Sequence, residues 1–145
     1  MEQNRSTQQR NLLLKLRQAY TLSKRKVDAI LKDTGITSAQ YMFLQYLYEH
    51  QDAKLTQNDL AREFMVQHTS IIETVKRLKE RGLIQVQPER NTRLLSLTDQ
   101  GINLLESIAD QTDDMFRQEF SDVEGDLFHV LQILLTRYIN TISDK

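Results

Sequence analysis

Hydrophobic positions in the first third of the chain recur every three to four residues, which is the spacing of an amphipathic helix. This spacing predicts a helix over residues 11–32 that is ended by Gly35. A second helix follows Thr37 and Gln40, which have the S/T-x-x-Q pattern of a capping box. Its apolar residues lie nearly all round it, so we expect burial on several sides. Polar residues 50–53 then break the pattern.

A short helix is predicted behind the cap signal of residues 56–59, Thr-Gln-Asn-Asp. It spans about two turns, which is too short for stability on its own, so packing of its inward side must hold it. That side carries Leu60, Ala61 and Phe64. The next helix is predicted over residues 67–81, and Gly82 supplies its C-terminal stop.

The helix over residues 67–81 has two distinct faces at about 100° per residue. Its apolar stripe consists of Ile71, Val75 and Leu78, with Ile72 at the edge. The opposite face is polar and charged, and it carries Thr69, Glu73, Lys76 and Arg77, with Ser70 beside them. The helix is therefore expected to pack on the body of the protein by one face and to expose the other.

Partial alternation of apolar and polar residues predicts one β-hairpin, the only plausible sheet in the chain. Its strands cover residues 83–87 and 93–97, and residues 88–92 form the turn. Thr98 then caps a helix that runs to about Phe120. The capping-box pattern of residues 121–124 opens the last helix.

The order of these elements predicts a mainly α fold with a small β-hairpin wing. A short helix and a tight break hold the following helix away from the body, as in a winged helix-turn-helix. We predict a single domain over residues 1–145. Within it, residues 37–98 form the winged helix-turn-helix lobe, residues 99–120 form a connecting helix, and residues 1–34 and 121–145 form helices at the two ends.

Composition excludes several classes of function. The chain has no Cys, which rules out disulfides, thiol catalysis and Cys-based zinc sites. No apolar run approaches the roughly 20 residues of a membrane span, and the polar N-terminus lacks the core of a signal peptide, so we expect a cytoplasmic protein. The net charge is +3 over residues 1–53, +3 over 54–98 and −7 over 99–145. Only residues 1–98 therefore carry a net positive charge that favours a polyanionic partner.

The predicted hairpin adds cationic residues next to the exposed face of residues 67–81. Thr69 and Ser70 lie in the first turn of that helix, where side chains and amide dipoles meet phosphates or base edges. Arg77 follows two turns on, on the same face. Arg90 at the hairpin tip, with Arg93 beside it, suits a narrow minor groove, where negative potential is concentrated. These features predict a surface that binds nucleic acid.

Two other interpretations of the same pattern stay open. An amphipathic helix with a charged face is usually just solvated, so the chain is alternatively a helical protein-interaction module without DNA binding. An enzyme is disfavoured, because His50, His68 and His129 are scattered and no glycine-rich phosphate loop is present. No catalytic residue, metal site or cofactor is predicted.

Three motifs resemble those of the MarR family of bacterial transcription regulators. They are Leu55-Thr56 with Leu60-Ala61, then Leu78 with Gly82-Leu83-Ile84, and Leu97-Thr98 with Gly101 after the wing. Length and helix order agree with the family over the whole chain. The resemblance implies a transcription regulator, most simply a repressor, that binds double-stranded DNA as a homodimer. It makes residues 37–98 the DNA-binding lobe and the helices over residues 1–34 and 121–145 the dimerisation region.

The exposed face and the resemblance together give a set of expected DNA-contacting residues. They are Thr56, Gln67, His68, Thr69, Ser70, Glu73, Thr74, Lys76, Arg77, Arg90, Asn91 and Arg93. Two of them depart from the family pattern. Asn91 stands where the family's wing commonly has an Arg for the minor groove, so Arg90 or Arg93 is the candidate substitute. Glu73 is unfavourable near phosphates, but it can accept from a cytosine amino group or orient Arg77.

Dimerisation has its own physical basis in the two ends of the chain. The first and last helices carry apolar stripes that a monomer of 145 residues would not easily cover. A two-fold dimer presents two recognition helices about 34 Å apart, one DNA turn, and selects a pseudo-palindromic site. Packing of these helices within one chain is the alternative.

The resemblance also implies a small aromatic or phenolic effector that releases DNA. Candidate lining residues are Tyr20, Tyr41, Phe43, Tyr46 and Phe64. An aromatic stripe at helical spacing more often belongs to the core, so the effector-binding residues are left unassigned. Such an effector would have to favour a dimer whose half-site spacing does not fit DNA.

Overall fold

The computed structural model of the chain describes residues 2–143, apart from the side chain of Gln3. Within this range the elements are α1 (Glu2–Leu31), α2 (Ser38–Glu49), β1 (Leu55–Thr56), α3 (Gln57–Glu63), α4 (His68–Glu80), β2 (Ile84–Glu89), β3 (Thr92–Leu97), α5 (Asp99–Glu119) and α6 (Asp126–Ser143). The predicted mainly α fold with a small wing is confirmed. The outer ends of the two predicted dimerisation segments, residues 1, 144 and 145, lie outside the described range.

Contacts divide the chain into two compact units, one up to Asp110 and one from Gln111 onward. α5 passes from the first unit into the second. No helix in the described residues is long and apolar enough to cross a membrane.

The first helix begins nine residues before the predicted start at Asn11. Its first residues, Glu-Gln-Asn-Arg-Ser-Thr-Gln-Gln-Arg, contain neither Gly nor Pro and include several good helix formers. Because these residues are polar, the apolar periodicity that predicts a helix does not extend over them. At the other end, the N–H and the hydroxyl of Thr34 both donate to the carbonyl of Leu31, at 2.9 and 2.7 Å. Gly35 follows with a φ of +76°, which turns the chain into α2.

The predicted capping box at the start of α2 is present. The Thr37 hydroxyl accepts from the N–H of Gln40 at 3.1 Å, and the Gln40 side chain accepts from the N–H of Thr37 at 3.1 Å. α2 buries Tyr41, Phe43 and Leu44 among others, which fits the prediction of a helix covered on several sides.

The sheet has three strands, so the prediction that the hairpin is the only sheet element was incomplete. The strand order is β1-β3-β2, with both pairs antiparallel. β1 is only two residues long and pairs Leu55 with Leu95, a partner forty positions further along the chain. Such a short segment has no alternation of its own to reveal it. Pro88 lies inside β2, which is an edge strand and therefore tolerates the missing N–H.

The core of the first unit lies where α2, α3 and α4 meet the sheet. Leu44, Leu60 and Leu78, one from each helix, have no exposed surface. Leu95 of β3 is 4% exposed and closes this core from the sheet side. Packing against these residues explains how α3, with seven residues, holds its helical form.

Closely spaced hydrogen bonds join the end of α4 to the base of the wing. Gly82 has a φ of +73°, and the N–H groups of Gly82 and Leu83 donate to the carbonyls of Lys79 and Leu78, which is a Schellman motif. The Thr98 hydroxyl donates to the carbonyl of Gly82 and accepts from the N–H of Gly101. A Cβ on Gly101 would lie 2.2 Å from the carbonyl oxygen of Leu83, so only glycine fits there.

The second unit contains the end of α5, a turn and α6. The predicted capping box over residues 121–124 is wrong, since those residues form the turn and α6 begins only at Asp126. Gly125, with a φ of +61°, separates the two helices. The rings of Phe120 and Phe128 meet edge to face across the turn, with centroids 5.2 Å apart. No described residue of α6 is buried.

Candidate nucleic-acid interface

α4 presents the two faces that its sequence predicts. Ile71, Val75 and Leu78 are at most 3% exposed and hold the helix against the core of the first unit. Ile72, at the edge of the stripe, is 44% exposed. On the opposite face all four predicted residues, Thr69, Glu73, Lys76 and Arg77, are exposed. The helix is thus anchored by one side and free to meet a partner along the other.

The structure places the twelve predicted residues on three neighbouring elements. Thr56 joins β1 to α3, and Arg90 and Asn91 form the wing turn, with Arg93 on β3. The remaining eight belong to the N-cap and body of α4, and they are Gln67, His68, Thr69, Ser70, Glu73, Thr74, Lys76 and Arg77. All twelve are exposed except Thr56 and Thr74, which are half-buried.

The first turn of α4 offers backbone N–H groups to a partner. Gln67 is its N-cap residue, and the Gln67 side chain makes no capping hydrogen bond. The N–H of Ser70 donates to the carbonyl of Gln67 at 3.0 Å, so the uncapped start leaves the N–H groups of His68 and Thr69 available to an anion or to water. The hydroxyl of Thr74 instead donates to the carbonyl of Ser70 at 3.1 Å, which commits Thr74 to the helix itself.

Glu73 and Arg77 form an ion pair on the exposed face of α4. A guanidinium nitrogen of Arg77 lies 2.7 Å from a carboxylate oxygen of Glu73, one turn away. The two side chains are 63% and 64% exposed, so the pair contributes little to stability and opens at small cost. The sequence left open whether Glu73 orients Arg77, and the structure brings the two groups together.

A polar cavity of about 240 Å³ lies between the start of α3, the start of α4 and the wing. Its lining residues are Thr56, Gln57, Asn58, His68, Asn91, Thr92 and Arg93. No carboxylate lines it, whereas Arg93 brings a permanent positive charge. The cavity therefore has the chemistry of an anion site.

Three residues of this cavity were missed by the sequence argument, namely Gln57, Asn58 and Thr92. Gln57 and Asn58 directly follow the predicted cap at Thr56, which was the signal that placed them at the start of a helix. Thr92 was assigned only to the turn. The juxtaposition of α3 with the wing arises from the pairing of β1 with β3, which the sequence did not reveal.

Thr56 has a structural role that competes with DNA contact. Its hydroxyl donates to the carboxylate of Asp59 at 2.9 Å and accepts from the N–H of that residue at 3.2 Å. The backbone N–H of Thr56 also donates to Asp59, and this bond is the main reason that the pKa of Asp59 is lowered. The Thr56 hydroxyl is therefore committed to holding the start of α3.

The wing turn is tighter than predicted. β2 and β3 remain paired up to Glu89 and Thr92, so only Arg90 and Asn91 form the turn. Arg90 has a φ of +54°, and both side chains are exposed. An ion pair between Lys54 and Glu89, at 2.9 Å, ties the wing to the segment before β1. The tip of the wing thus carries one Arg and one Asn, and the Lys54–Glu89 ion pair stabilises the hairpin beneath it.

Comparison with known proteins assigns the chain to a protein family. A model of the MarR family matches residues 34–93, from the α1–α2 turn to the wing. The chain is 31% identical over 103 residues to the HTH-type transcriptional regulator BilQ of Clostridioides difficile (strain CD3), covering 67% of this chain and 68% of that relative. The chain belongs to the MarR family.

Solved structures of similar proteins superpose on nearly the whole chain. MepR of Staphylococcus aureus in its DNA-binding conformation superposes with a TM-score of 0.84, at 25% identity, over 90% of this chain and 98% of MepR. The MepR–DNA complex gives a TM-score of 0.77 at 26% identity, over 88% and 94% of the two chains. This MarR-family protein is accordingly a DNA-binding transcription regulator and not an enzyme.

The aromatic residues considered for an effector site do not form one cavity. Tyr41 and Phe43 are buried, and Phe64 stacks near Phe43 with ring centroids 6.1 Å apart. Tyr46 meets Phe64 edge to face at 5.7 Å, whereas Tyr20 is 68% exposed on α1. Phe43, Tyr46 and Phe64 therefore pack between α2 and α3, and Tyr41 is buried separately on α2.

Proposed function

We propose that this MarR-family regulator binds a pseudo-palindromic DNA operator as a homodimer and represses transcription from it. The observation that carries the proposal is the exposed face of α4, with Thr69, Ser70 and Arg77, beside a wing that carries Arg90 and Arg93. A recognition helix for the major groove and a cationic hairpin for the adjacent minor groove are thereby presented by one lobe.

In this proposal α4 enters the major groove by its first turns. Arg77 offers a guanidinium that suits the O6 and N7 acceptors of guanine, and Thr69 and Ser70 offer short hydroxyls. The Glu73 carboxylate both holds Arg77 and accepts from a cytosine amino group. The pair would then favour a site in which guanine and cytosine are neighbours.

The polar cavity beside the wing receives a backbone phosphate. It lacks a carboxylate, and its lining includes Arg93, His68 and the amide side chains of Gln57 and Asn58. Phosphate contacts of this kind set the register of a protein on the duplex, and base contacts supply the specificity. Arg90 at the tip takes over the minor-groove role that the family pattern gives to the position of Asn91.

The homodimer is supported by apolar side chains that stay exposed on both terminal helices. On α1 these are Leu12, Leu13, Leu14, Tyr20 and Leu22, between 52% and 68% exposed. On α6 they are Leu127, Val130, Leu131, Ile133, Leu134, Tyr138, Ile139 and Ile142, between 36% and 65% exposed. Apolar surface on this scale marks an interaction surface. A second copy of the chain is the partner that leaves two recognition helices about one DNA turn apart.

Repression follows from occupancy of the operator by the dimer, in the cytoplasm where bacterial DNA lies.

We propose that a small aromatic effector relieves this repression by binding a cavity of about 650 Å³ in the second unit. The cavity is lined mainly by apolar atoms of Phe116, Phe120, Val123 and Phe128. Its volume is within the range of small-molecule sites. The effector acts only if it binds the DNA-incompetent dimer more tightly than the competent one.

A salt titration of duplex binding separates this function from that of a protein-interaction module. Affinity for a fluorescent duplex is measured by anisotropy at several salt concentrations. We expect log K to fall linearly with log salt, with a slope of about −4 or steeper, because each neutralised phosphate contributes about −0.9. A variant with Arg90 and Arg93 both changed to Ala serves as the control and should give a shallower slope. Absence of duplex binding at low salt would remove the proposed function.

A further inference from the structure

Arg81, at the end of α4, is an exposed residue whose guanidinium nevertheless donates to the protein's own backbone. Its guanidinium donates through Nη1 to the carbonyl of Gly35 at 2.5 Å and through Nη2 to the carbonyl of Thr34 at 2.9 Å. These acceptors lie 46 and 47 positions earlier in the chain, in the turn between α1 and α2. One side chain thus joins the end of α4 to the end of α1.

The turn is shaped to receive this guanidinium. α1 is 30 residues long and has no basic residue in its last turn, and Arg81 brings a cation to two carbonyls of the turn that follows its C-terminal end, where the helix dipole is negative. Gly35 has a φ of +76°, and a Cβ there would lie 3.1 and 3.2 Å from the two terminal nitrogens of Arg81. The positive φ of Gly35 therefore favours glycine in this turn, and a side chain there would crowd the end of the Arg81 guanidinium by a few tenths of an ångström.

The other end of the link is equally well anchored. Arg81 is the C-cap residue of α4, and the Schellman hydrogen bonds of Gly82 and Leu83 hold the backbone on either side of it. Leu78 and Leu83, which frame this end of the helix, are 0% and 2% exposed. A displacement of the α1–α2 turn would therefore act through Arg81 on a helix end that backbone hydrogen bonds and buried leucines hold in place.

We infer that Arg81 is a positioning residue for DNA binding, which sets the direction of α4 from α1 through its fork to the carbonyls of Thr34 and Gly35. The inference rests on the proposed function, because it needs α4 to be the helix that meets DNA. Arg81 differs in kind from Arg77 and Lys76 on the exposed face, since its donors are directed at the protein's own backbone. If α1 also holds the dimer together, the same link carries a change at the dimer interface to the recognition helix.

Replacing Arg81 by Lys or by Ala distinguishes a positioning role of this side chain from direct contact with a DNA phosphate. An Arg presents a planar fork that reaches two carbonyls at once, whereas a Lys has the charge without the fork. We expect Arg81→Ala and Arg81→Lys to weaken duplex binding alike, by about three- to tenfold, under conditions where both are fully folded. The slope of log K against log salt should stay at the wild-type value in both. Lys76→Ala, the control for a lost phosphate contact, should lower that slope by about 0.9.

Amide hydrogen exchange without DNA supplies a readout that does not depend on operator binding. When the hydrogen bonds of Arg81 to the turn are lost, the backbone amides of Thr34 and Gly82 should exchange faster. We expect this in both the Arg81→Ala and the Arg81→Lys variants. Unchanged exchange at both amides, or full recovery of affinity by Lys, would overturn the inference. So would a salt slope that falls by about one in Arg81→Ala. A wild-type protein that binds no duplex would refute the proposed function instead, while variants equal to a wild type that does bind would refute only the role of Arg81.

Discussion

Among single residues, Glu73 and Arg77 on the exposed face of α4 matter most to the proposed DNA binding. A carboxylate next to DNA phosphates is unfavourable unless it has a partner, and Arg77 supplies one at 2.7 Å. Both side chains are more than 60% exposed, so solvent screens the pair and DNA can rearrange it. In the proposed DNA complex, Glu73 would therefore contribute to sequence preference instead of only repelling phosphates.

Glu73→Gln tests that role because Gln keeps the shape and removes the charge. If Glu73 accepts from a cytosine amino group, the variant should lose preference for its selected site over a site changed at one base pair, by about 1–3 kcal/mol. The comparison is made by anisotropy on the two duplexes. A uniform gain of affinity on both duplexes would mean that Glu73 only repels phosphate.

Removal of the two cationic side chains proposed to reach the grooves should weaken binding without unfolding the protein. We expect Arg77→Ala and Arg90→Ala each to cost about 1–3 kcal/mol of operator affinity. Lys24→Ala is the matched control, since it also removes a positive charge and breaks an i,i+4 ion pair, with Asp28 at 2.8 Å. Affinities equal to that of the control would take both arginines out of the mechanism.

At the scale of elements, sequence patterns predicted those features that depend on neighbouring residues. The capping boxes at Thr37 and Thr56, the apolar stripe of α4 and its glycine stop all follow from local chemistry. The same pattern over residues 121–124 was wrong, because the chain there forms a turn and Gly125 directs it into α6. β1 was missed because it exists only through pairing with a strand far along the chain.

The cap of α3 makes a pH-dependent contribution to stability. The pKa of Asp59 is lowered, first by the backbone N–H of Thr56 and then by its hydroxyl. A carboxyl with a lowered folded pKa stabilises the protein above its ordinary pKa and loses that contribution as pH falls through the folded value. The contribution of Asp59 should therefore be complete above about pH 5 and decline at lower pH.

Asp59→Asn should flatten the stability profile in that acidic range and lower stability near neutral pH. Urea unfolding followed by circular dichroism between about pH 3 and 7 measures both effects. Thr56→Ser keeps the hydroxyl and the N–H and should retain the wild-type profile. Identical profiles for wild type and Asp59→Asn would show that the cap does not depend on the charge.

At the scale of the whole molecule, the site is an assembly of segments that are distant in sequence. Periodicity predicted the exposed face of α4 and the cationic wing, because each is a property of one segment. It did not predict the cavity shared by α3, α4 and the wing, nor the contact of Arg81 with Gly35, because both require knowledge of tertiary packing. The apolar faces of α1 and α6 were visible in the sequence, and they are exposed in the single chain.

A charge placed on the α6 face tests whether a second copy covers it. Leu134 is 55% exposed in the single chain, so Leu134→Glu should leave the fold intact and weaken dimerisation at least about 100-fold, because the carboxylate would be buried in the interface. Sedimentation equilibrium measures the change. Thr136→Glu adds the same charge about 200° round the helix, away from the apolar face, and should leave the dimer unchanged. A monomeric wild type would contradict the dimer directly.

Selection of bound sequences from a random duplex library tests whether the two α4 helices of a dimer read a pseudo-palindrome. We expect enrichment of an inverted repeat whose half-sites are centred about one helical turn, 10–10.5 base pairs, apart. Recovered sequences without enrichment, or with a single unrepeated motif, would contradict it.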